Sequence, residues 1–389
     1  MQRLLVISNG IGEDSIGAEI VRRLPHSFTV HAYPTLGEGK AYRAACPVVG
    51  PRAHLPSEGS RVGQGTIRKD IAGGLFGTIW PALKFLRESR TAYDSFLVIG
   101  DFIGVGACWL AGIRNVVYLD VYHTGFGRPY SAIEKHIIKW TSSTVFCRSA
   151  GLAGQLAAMG VDARASGNVM MDTIPAAEYD VGRRRLKLQS VLLLPGSREA
   201  TVANFALQIE ALAQLPDEMK PDVFVAVADG INPEDMAKAA GLIHHGTASR
   251  ERADAGRLSG RGLNVNLARG ALKPLLDGTD LVLSQAGTAT IQALGSGRPV
   301  LTFSRGSDRM KRFEEENLLF GEARQMVAAD AGQLSEAVGR LLADPAEMAR
   351  LGTVGRERIG GPGVIREIIG VLEQIAGKQP KASSLSASR

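Results

Sequence analysis

Two stretches of this sequence set small residues, hydroxyls and a guanidinium in an order suited to holding an anion. In Leu281-Val282-Leu283-Ser284-Gln285-Ala286 an apolar run gives way to Gly287, Thr288, Ala289 and Thr290, and a helical pattern follows. Glycine lets the backbone approach a ligand, the threonines add hydroxyl donors, and a first helical turn offers free N–H groups at the positive end of its dipole. Val191-Leu192-Leu193-Leu194 runs in the same way into Pro195-Gly196-Ser197-Arg198-Glu199. There Gly196 and Ser197 open a second nest, and Arg198 brings a permanently charged fork of donors. A diphosphate fits both turns. Each turn is also the ordinary grammar of a strand passing into a helix.

A third glycine-bearing turn opens the chain. Gly10-x-Gly12-x-x-Ser15 after a strand lies close to the dinucleotide fingerprint. Serine at 15, and a next strand ending in His31-Ala32-Tyr33 with no acid to bind a ribose, weigh against a nicotinamide. His123, in Asp120-Val121-Tyr122-His123-Thr124-Gly125 after a strand ending at Leu119, is a candidate base or a structural histidine.

The elements that position these residues are read from hydrophobic periodicity. Short apolar runs alternate with helical patterns, as a parallel sheet covered on both faces requires. Strands are expected at 3–8, 28–33, 95–99, 115–119, 143–147 and 163–166, then at 190–194, 222–227, 263–266, 280–283 and 299–302. Helices are expected at 14–24, 70–90, 130–141, 150–159, 200–214, 233–240, 271–277, 288–296, 310–319, 331–343 and 363–376. The expected organisation is an N-terminal domain over 1–172, a linker over 173–189 containing Arg183-Arg184-Arg185, and a C-terminal domain over 190–355. A terminal helical segment is expected over 356–376, and 377–389 is a disordered tail rich in Ser and Lys.

Length and composition agree with two α/β domains. The 389 residues exceed what one core usually serves, and 45% hydrophobic with 22% charged is an ordinary globular balance. The net charge of +6 is scattered and lacks the aromatic interleaving of a nucleic-acid surface, so a phosphorylated substrate or an anionic membrane is the expected partner. Cys46, Cys108 and Cys147 form no Cys-x-x-Cys pair and read as free thiols. No run reaches the roughly 18 apolar residues of a spanning helix, and Leu4–Ile7 is too short for a signal core. The expected location is the cytoplasm, peripheral on the inner face of its membrane. The contact would be the stretch 69–90, where Ile71, Leu75, Ile79, Leu83 and Leu86 share a helical face, Phe76, Trp80 and Phe85 widen it, and Arg68, Lys69, Lys84, Arg87 and Arg90 flank it. A buried core helix has the same stripe.

The motifs Leu-Leu-Leu-Pro-Gly-Ser-Arg-Glu at 192–199 and Gly-Thr-Ala-Thr at 287–290 resemble lipid A disaccharide synthase, and more closely its related-protein group. Ser8-Asn9-Gly10-Ile11-Gly12-Glu13-Asp14, Ile99-Gly100-Asp101-Phe102 and Gly167-Asn168-Val169-Met170-Met171-Asp172 match in the same order. The resemblance implies a GT-B architecture, two doubly wound Rossmann-like domains facing across a cleft, the N-terminal one (1–172) binding the acceptor, the C-terminal one (190–355) binding the nucleotide sugar, and the segment 356–376 crossing back to the first domain. It also implies a metal-independent hexosyltransferase with no cofactor, a nucleotide-sugar donor, UDP-linked by expectation, and a lipid or lipid-linked acceptor. The absence of an Asp-x-Asp motif agrees with metal independence. By resemblance Asp101 holds the place of the catalytic aspartate; it is equally placed to cap a helix entered at Phe102. Gln292 stands near a glutamate that binds ribose in many GT-B enzymes. Asn9, Gly10, Gly12, Glu13 and Asp14 would line the acceptor cleft, with Glu13 and Asp14 facing it or capping the helix. Gly10 and Ile11 depart from the Glu and His of the relatives. The rival readings are a nucleotide-sugar 2-epimerase, which needs no acceptor, a nucleotide-sugar-binding protein without catalysis, and a dehydrogenase.

Overall fold

The computed structural model describes residues 1–52, 75–124, 129–197, 199–247, 249–304 and 310–378. Contacts divide the chain into two units, Met1–Asp172 with the segment from Pro362 onward, and Thr173–Gly361.

In the first unit β1 (Gln2–Ser8), β2 (Phe28–Pro34), β3 (Ser95–Gly100), β4 (Val116–Asp120), β5 (Ser142–Phe146) and β6 (Asp162–Arg164) form a parallel sheet in the order 2-1-3-4-5-6. Strands covered on both faces read as unbroken apolar runs, and every residue of β3 is buried. On one face α1 (Ile11–Arg23) packs Ile16, Ile20 and Val21 against Leu4, Val6 and Leu97. On the other, α2 (Leu75–Ala92), α3 (Phe102–Ala111), α4 (Ala132–Thr141) and α5 (Ala150–Ala157) bury Leu86, Val105, Cys108, Ile138 and Leu152 against Ile7, Val98 and Val145. The chain leaves β1 for β2 on one side and returns to β3 on the other. The turns after β1 and β3 therefore flank a topological switch point, where open α/β sheets bind their ligands.

The second unit repeats the plan. Its strands are β7 (Ser190–Leu194), β8 (Asp222–Ala226), β9 (Ile243–His245), β10 (Asp254–Gly260), β11 (Leu263–Ala268), β12 (Leu281–Ser284), β13 (Val300–Ser304) and β14 (Arg324–Ala328), in the order 14-13-12-7-8-11-10-9. From β14 to β11 all neighbours are parallel, whereas β10 and β9 join antiparallel. The helices are α6 (Val181–Arg184), α7 (Thr201–Ala213), α8 (Pro233–Ala240), α9 (Leu272–Gly278), α10 (Thr288–Gly295), α11 (Met310–Phe320), α12 (Ala331–Leu342) and α13 (Pro345–Ile359). Here the switch point falls between β7 and β12.

Several elements differ from the sequence expectation. The hairpin β10–β11 escapes it because β10 reads Asp-Ala-Gly-Arg-Leu-Ser-Gly; its signal is the turn Arg261-Gly262, both at positive φ (54° and 75°). Helix α13 contains Gly352 and Gly355, poor helix formers, yet a Cβ at the first would collide with the Gly297 carbonyl oxygen and at the second would sit 2.6 Å from that of Leu294. The glycines let α13 lie directly on the end of α10. Residues 173–189 are no free linker: Leu186 and Lys187 each donate a backbone N–H to Asp222 Oδ2 at 2.6 Å, and Arg185 pairs with Asp280 at 2.6 Å.

The expected single segment 356–376 is broken. Helix α13 ends at Ile359, and α14 (Val364–Lys378) starts after Gly360 and Gly363, which hold φ of +82° and +127°. Asp172 accepts the N–H of Gly363 at 2.8 Å and of Ile365 at 3.1 Å, which fixes the start of α14. Its Ile365, Ile368 and Leu372 join the core of the first unit beside Leu4 and Val6. The expected tail begins within α14 at Gly377 and Lys378, and 379–389 lie outside the described residues.

Candidate functional site

At the carboxyl end of β4 the buried apolar run Val116–Leu119 delivers Asp120, which is fully buried. Its Oδ1 accepts the N–H of Tyr122 at 2.9 Å and of His123 at 3.1 Å, so the loop folds back over the carboxylate. The result brings His123 Nδ1 to 2.8 Å from Asp120 Oδ2, with His123 itself 4% exposed. A carboxylate at Nδ1 selects the tautomer protonated there and leaves Nε2 with its lone pair. Nε2 lies 3.6 Å from Glu134 Oε1, beyond hydrogen-bond length. The hydroxyl of Tyr130 also donates to Asp120 Oδ2 and stands 3.7 Å from Cys147 Sγ. Burial works against the imidazolium, but the Asp120 hydrogen bond and the charges of Asp120, Glu134 and Asp101 outweigh it and raise the His123 pKa. Carboxylate, imidazole and a second carboxylate thus form an acid–base set.

Asp101 caps α3: its Oδ1 accepts the N–H of Ile103 at 2.9 Å and Asn9 Nδ2 at 2.5 Å. The bond to Asn9 joins the turns after β1 and β3, where Gly100 at φ +143° leaves room that a Cβ, colliding with Asn9 Oδ1, would fill. Gly10 holds extended backbone at the start of α1, with Glu13 folded against it, while Gly12 is open. Asp14 departs from the expectation of a group facing an acceptor. It is 4% exposed and accepts Ser8 Oγ at 2.6 Å, and Ser8 Oγ in turn lies 2.9 Å from the Tyr42 hydroxyl. Burial pushes its pKa up to about 6, against the Ser8 hydrogen bond and with help from Glu13.

In the second unit β7 and β12 are parallel neighbours with Leu194 opposite Ser284, and Gln285 N donates to the Leu194 carbonyl at 2.8 Å. The Gly196 and Gly287 turns, far apart in sequence, are therefore adjacent at one switch point. Gly196 has φ +106°, and a Cβ there would lie 3.6 Å from the Gln285 carbonyl oxygen. Gly287, Thr288 and Ser197 are exposed, Ala289 is half-buried, and among the described residues nothing lies within 4 Å of a Cβ placed on Gly287. No side chain at the N-cap position closes α10, so its first turn presents N–H groups to an anion. Thr290 is a correction: its hydroxyl donates to the Ala286 carbonyl at 2.6 Å and meets Ser284 Oγ at 2.7 Å, bracing the turn from inside. Gln292 is buried, at 3% exposure. Arg198 lies outside the described residues.

Of the stretch 69–90, residues 69–74 lie outside the described residues. Within α2, Leu86 and Phe85 belong to the core side, Phe85 against Tyr33 with ring centroids 4.8 Å apart, while Ile79 and Trp80 are exposed. Among the described residues no helix is long and apolar enough to cross a membrane.

The sequence patterns do not single out Asp120, Tyr130 and Glu134. The available signals were Asp120 ending an apolar strand much as Asp101 follows one, and the pattern Ser131-x-x-Glu134, which forms a capping box on α4.

No family model matches the chain, and no curated protein matches it in sequence. Solved structures match over nearly its whole length. A UDP-glucosyltransferase from Polygonum tinctorium aligns with a TM-score of 0.59 at 11% identity, covering 97% of this chain and 99% of that one. A UDP-GlcNAc 2-epimerase from Neisseria meningitidis, solved with UDP-GlcNAc, aligns at 0.55 and 12%, covering 97% and 100%. MurG from Acinetobacter baumannii aligns at 0.53 and 13%, covering 96% and 100%. The likeness at such identities is one of fold: two Rossmann-like α/β units of the GT-B class.

Proposed function

We propose that the chain is a nucleotide-sugar enzyme, in which the second unit holds the nucleoside diphosphate and the first supplies the acid–base group. The observation that carries this reading is the adjacency of the Gly196 and Gly287 turns at the β7–β12 switch point, with the N-terminus of α10 opening beside them. Exposed Ser197 and Thr288 add hydroxyls, and Arg198 adds charge. The fold is shared with proteins whose structures carry UDP-GlcNAc or are named for UDP-glucose chemistry.

The reaction favoured is hexosyl transfer to a lipid or lipid-linked acceptor at a membrane surface, in keeping with the resemblance to the lipid A disaccharide synthase-related group. Transfer needs a base for the acceptor hydroxyl and donors for the departing diphosphate. His123 Nε2, with Nδ1 held by Asp120, is the base. The proton it takes comes from the acceptor hydroxyl as the new C–O bond forms and the anomeric C–O bond to the diphosphate breaks. Asp101 positions Asn9 and the start of α3.

A second reading, 2-epimerisation, is supported by the same set, because Asp120, His123 and Glu134 offer a base and an acid without any acceptor. The experiment that separates them is product analysis after incubation with UDP-sugars. UDP release that requires a lipid extract supports transfer, and a 2-epimer formed without lipid supports epimerisation. Binding with neither product would leave a non-catalytic nucleotide-sugar-binding protein.

A further inference from the structure

The inner face of α7 breaks the apolar pattern of a core helix. Phe205, Ile209 and Leu212 pack into the core of the second unit, yet Asn204 and Gln208, one helical turn apart, are buried as well, at 8% and 0% exposure. Amides are uncommon at core positions, and such departures from pattern mark places where geometry matters more than apolar burial. Asn204 Nδ2 donates to the Pro195 carbonyl at 3.0 Å, and Gln208 Nε2 donates to the Leu283 carbonyl at 3.0 Å. A carbonyl only accepts, so chemistry fixes which end of each amide faces it.

Pro195 opens the Gly196 turn, and Leu283 precedes Gly287 by four residues on β12. One helix therefore grips the strand end or turn on both sides of the switch point. Gln285 carries the brace onward to β13, where its Nε2 donates to the Phe303 carbonyl at 2.9 Å and to Thr302 Oγ1 at 3.2 Å. Gln208 Oε1, by contrast, is buried with no hydrogen-bond partner among the described residues. A half-satisfied buried amide costs more than an apolar side chain of the same shape, so stability does not account for Gln208.

We propose that Asn204 and Gln208 are positioning residues, which hold the Gly196 and Gly287 turns at the separation a diphosphate needs. The inference rests on the proposed nucleotide-sugar reading. A single turn can hold one phosphate, whereas two phosphates shared between two turns are held only while the turns keep their spacing. Asn204 sets the Gly196 turn through the Pro195 carbonyl, and Gln208 sets the approach to the Gly287 turn through the Leu283 carbonyl. Because both side chains stem from α7, the two settings are tied to one rigid element. Both amides act through backbone carbonyls and leave the ligand to the turns.

The test compares UDP with UMP by calorimetric titration of the full chain and of two single variants, Gln208→Met and Asn204→Ser, with a denaturant midpoint for each. Gln208→Met keeps the length of the side chain and removes only its amide, and if one variant does not fold the other decides. The expected result in either variant is UDP affinity about tenfold lower with UMP affinity changed by less than about threefold, so that the advantage of the second phosphate is lost. Parallel losses for UDP and UMP that track the midpoint would show packing alone and overturn the proposal. A UDP advantage that survives in both variants also overturns it, and leaves the nucleotide-sugar reading intact. A parent chain that binds UDP no tighter than UMP overturns the spacing role, while one that binds neither removes the nucleotide-sugar reading and the positioning role with it.

Discussion

His123 Nδ1 stands 2.8 Å from Asp120 Oδ2, with both side chains buried at the end of β4. Asp120 also receives two backbone N–H groups and the Tyr130 hydroxyl, so its position is set by the fold and it in turn sets the imidazole.

Replacing Asp120 with Asn should lower turnover roughly 10²–10⁴-fold, the usual span for a general base deprived of its orientation. The pH profile adds a sign. A base acts when neutral, and the carboxylates raise the His123 pKa, so the acid limb of kcat/KM should lie above the ordinary histidine value of 6.5. In Asp120→Asn the limb should move to lower pH. A limb unchanged by the substitution would remove His123 from the chemistry.

Asp14 makes stability fall with pH. Its pKa is raised from 3.8 to about 6 by burial, so between those values the folded protein keeps a proton that the unfolded chain has lost. Stability due to this group is highest below about pH 4, declines as pH rises to about 6, and stays lower above. Asp14→Asn retains an acceptor for Ser8 and should flatten that decline, with a gain of about 1–3 kcal/mol at about pH 7. Denaturant midpoints measured on either side of the two pKa values check it.

Gly196 occupies φ +106°, which an L side chain rarely adopts. Gly196→Ala should cost about 1–3 kcal/mol of stability and weaken nucleoside diphosphate binding about tenfold by re-aiming the turn. Melting curves and a UDP titration check the two effects separately.

Burial pushes the thiols of Cys108 and Cys147 up to about 12 and that of Cys46 up to about 11. At about pH 8 the native protein should therefore react very slowly with a disulfide reagent, and all three thiols should react at once in denaturant. Rapid labelling of the folded chain would contradict the packing around them.

Much of the fold was legible because parallel strands buried on both faces are continuous apolar runs, as at Val191–Leu194 and Phe96–Ile99. The elements that escaped are those whose reason lies in tertiary contact: β9 exists by pairing with β10, and α13 tolerates Gly352 and Gly355 because α10 lies against them. At the site, His123 and the glycine turns were visible as residue types at strand ends. The inward hydrogen bonds of Thr290 and Asp14 were not, because nothing in a sequence tells which way a short polar side chain turns at a helix start.

The most direct measurement is a calorimetric titration of the full chain with UDP and, separately, NAD, repeated with Arg198→Ala. One site for UDP, none for NAD, and a loss of about 1.5–3 kcal/mol on removing the guanidinium are the expected results. Absence of nucleoside diphosphate binding, or binding of NAD alone, would contradict the nucleotide-sugar reading and leave only the fold.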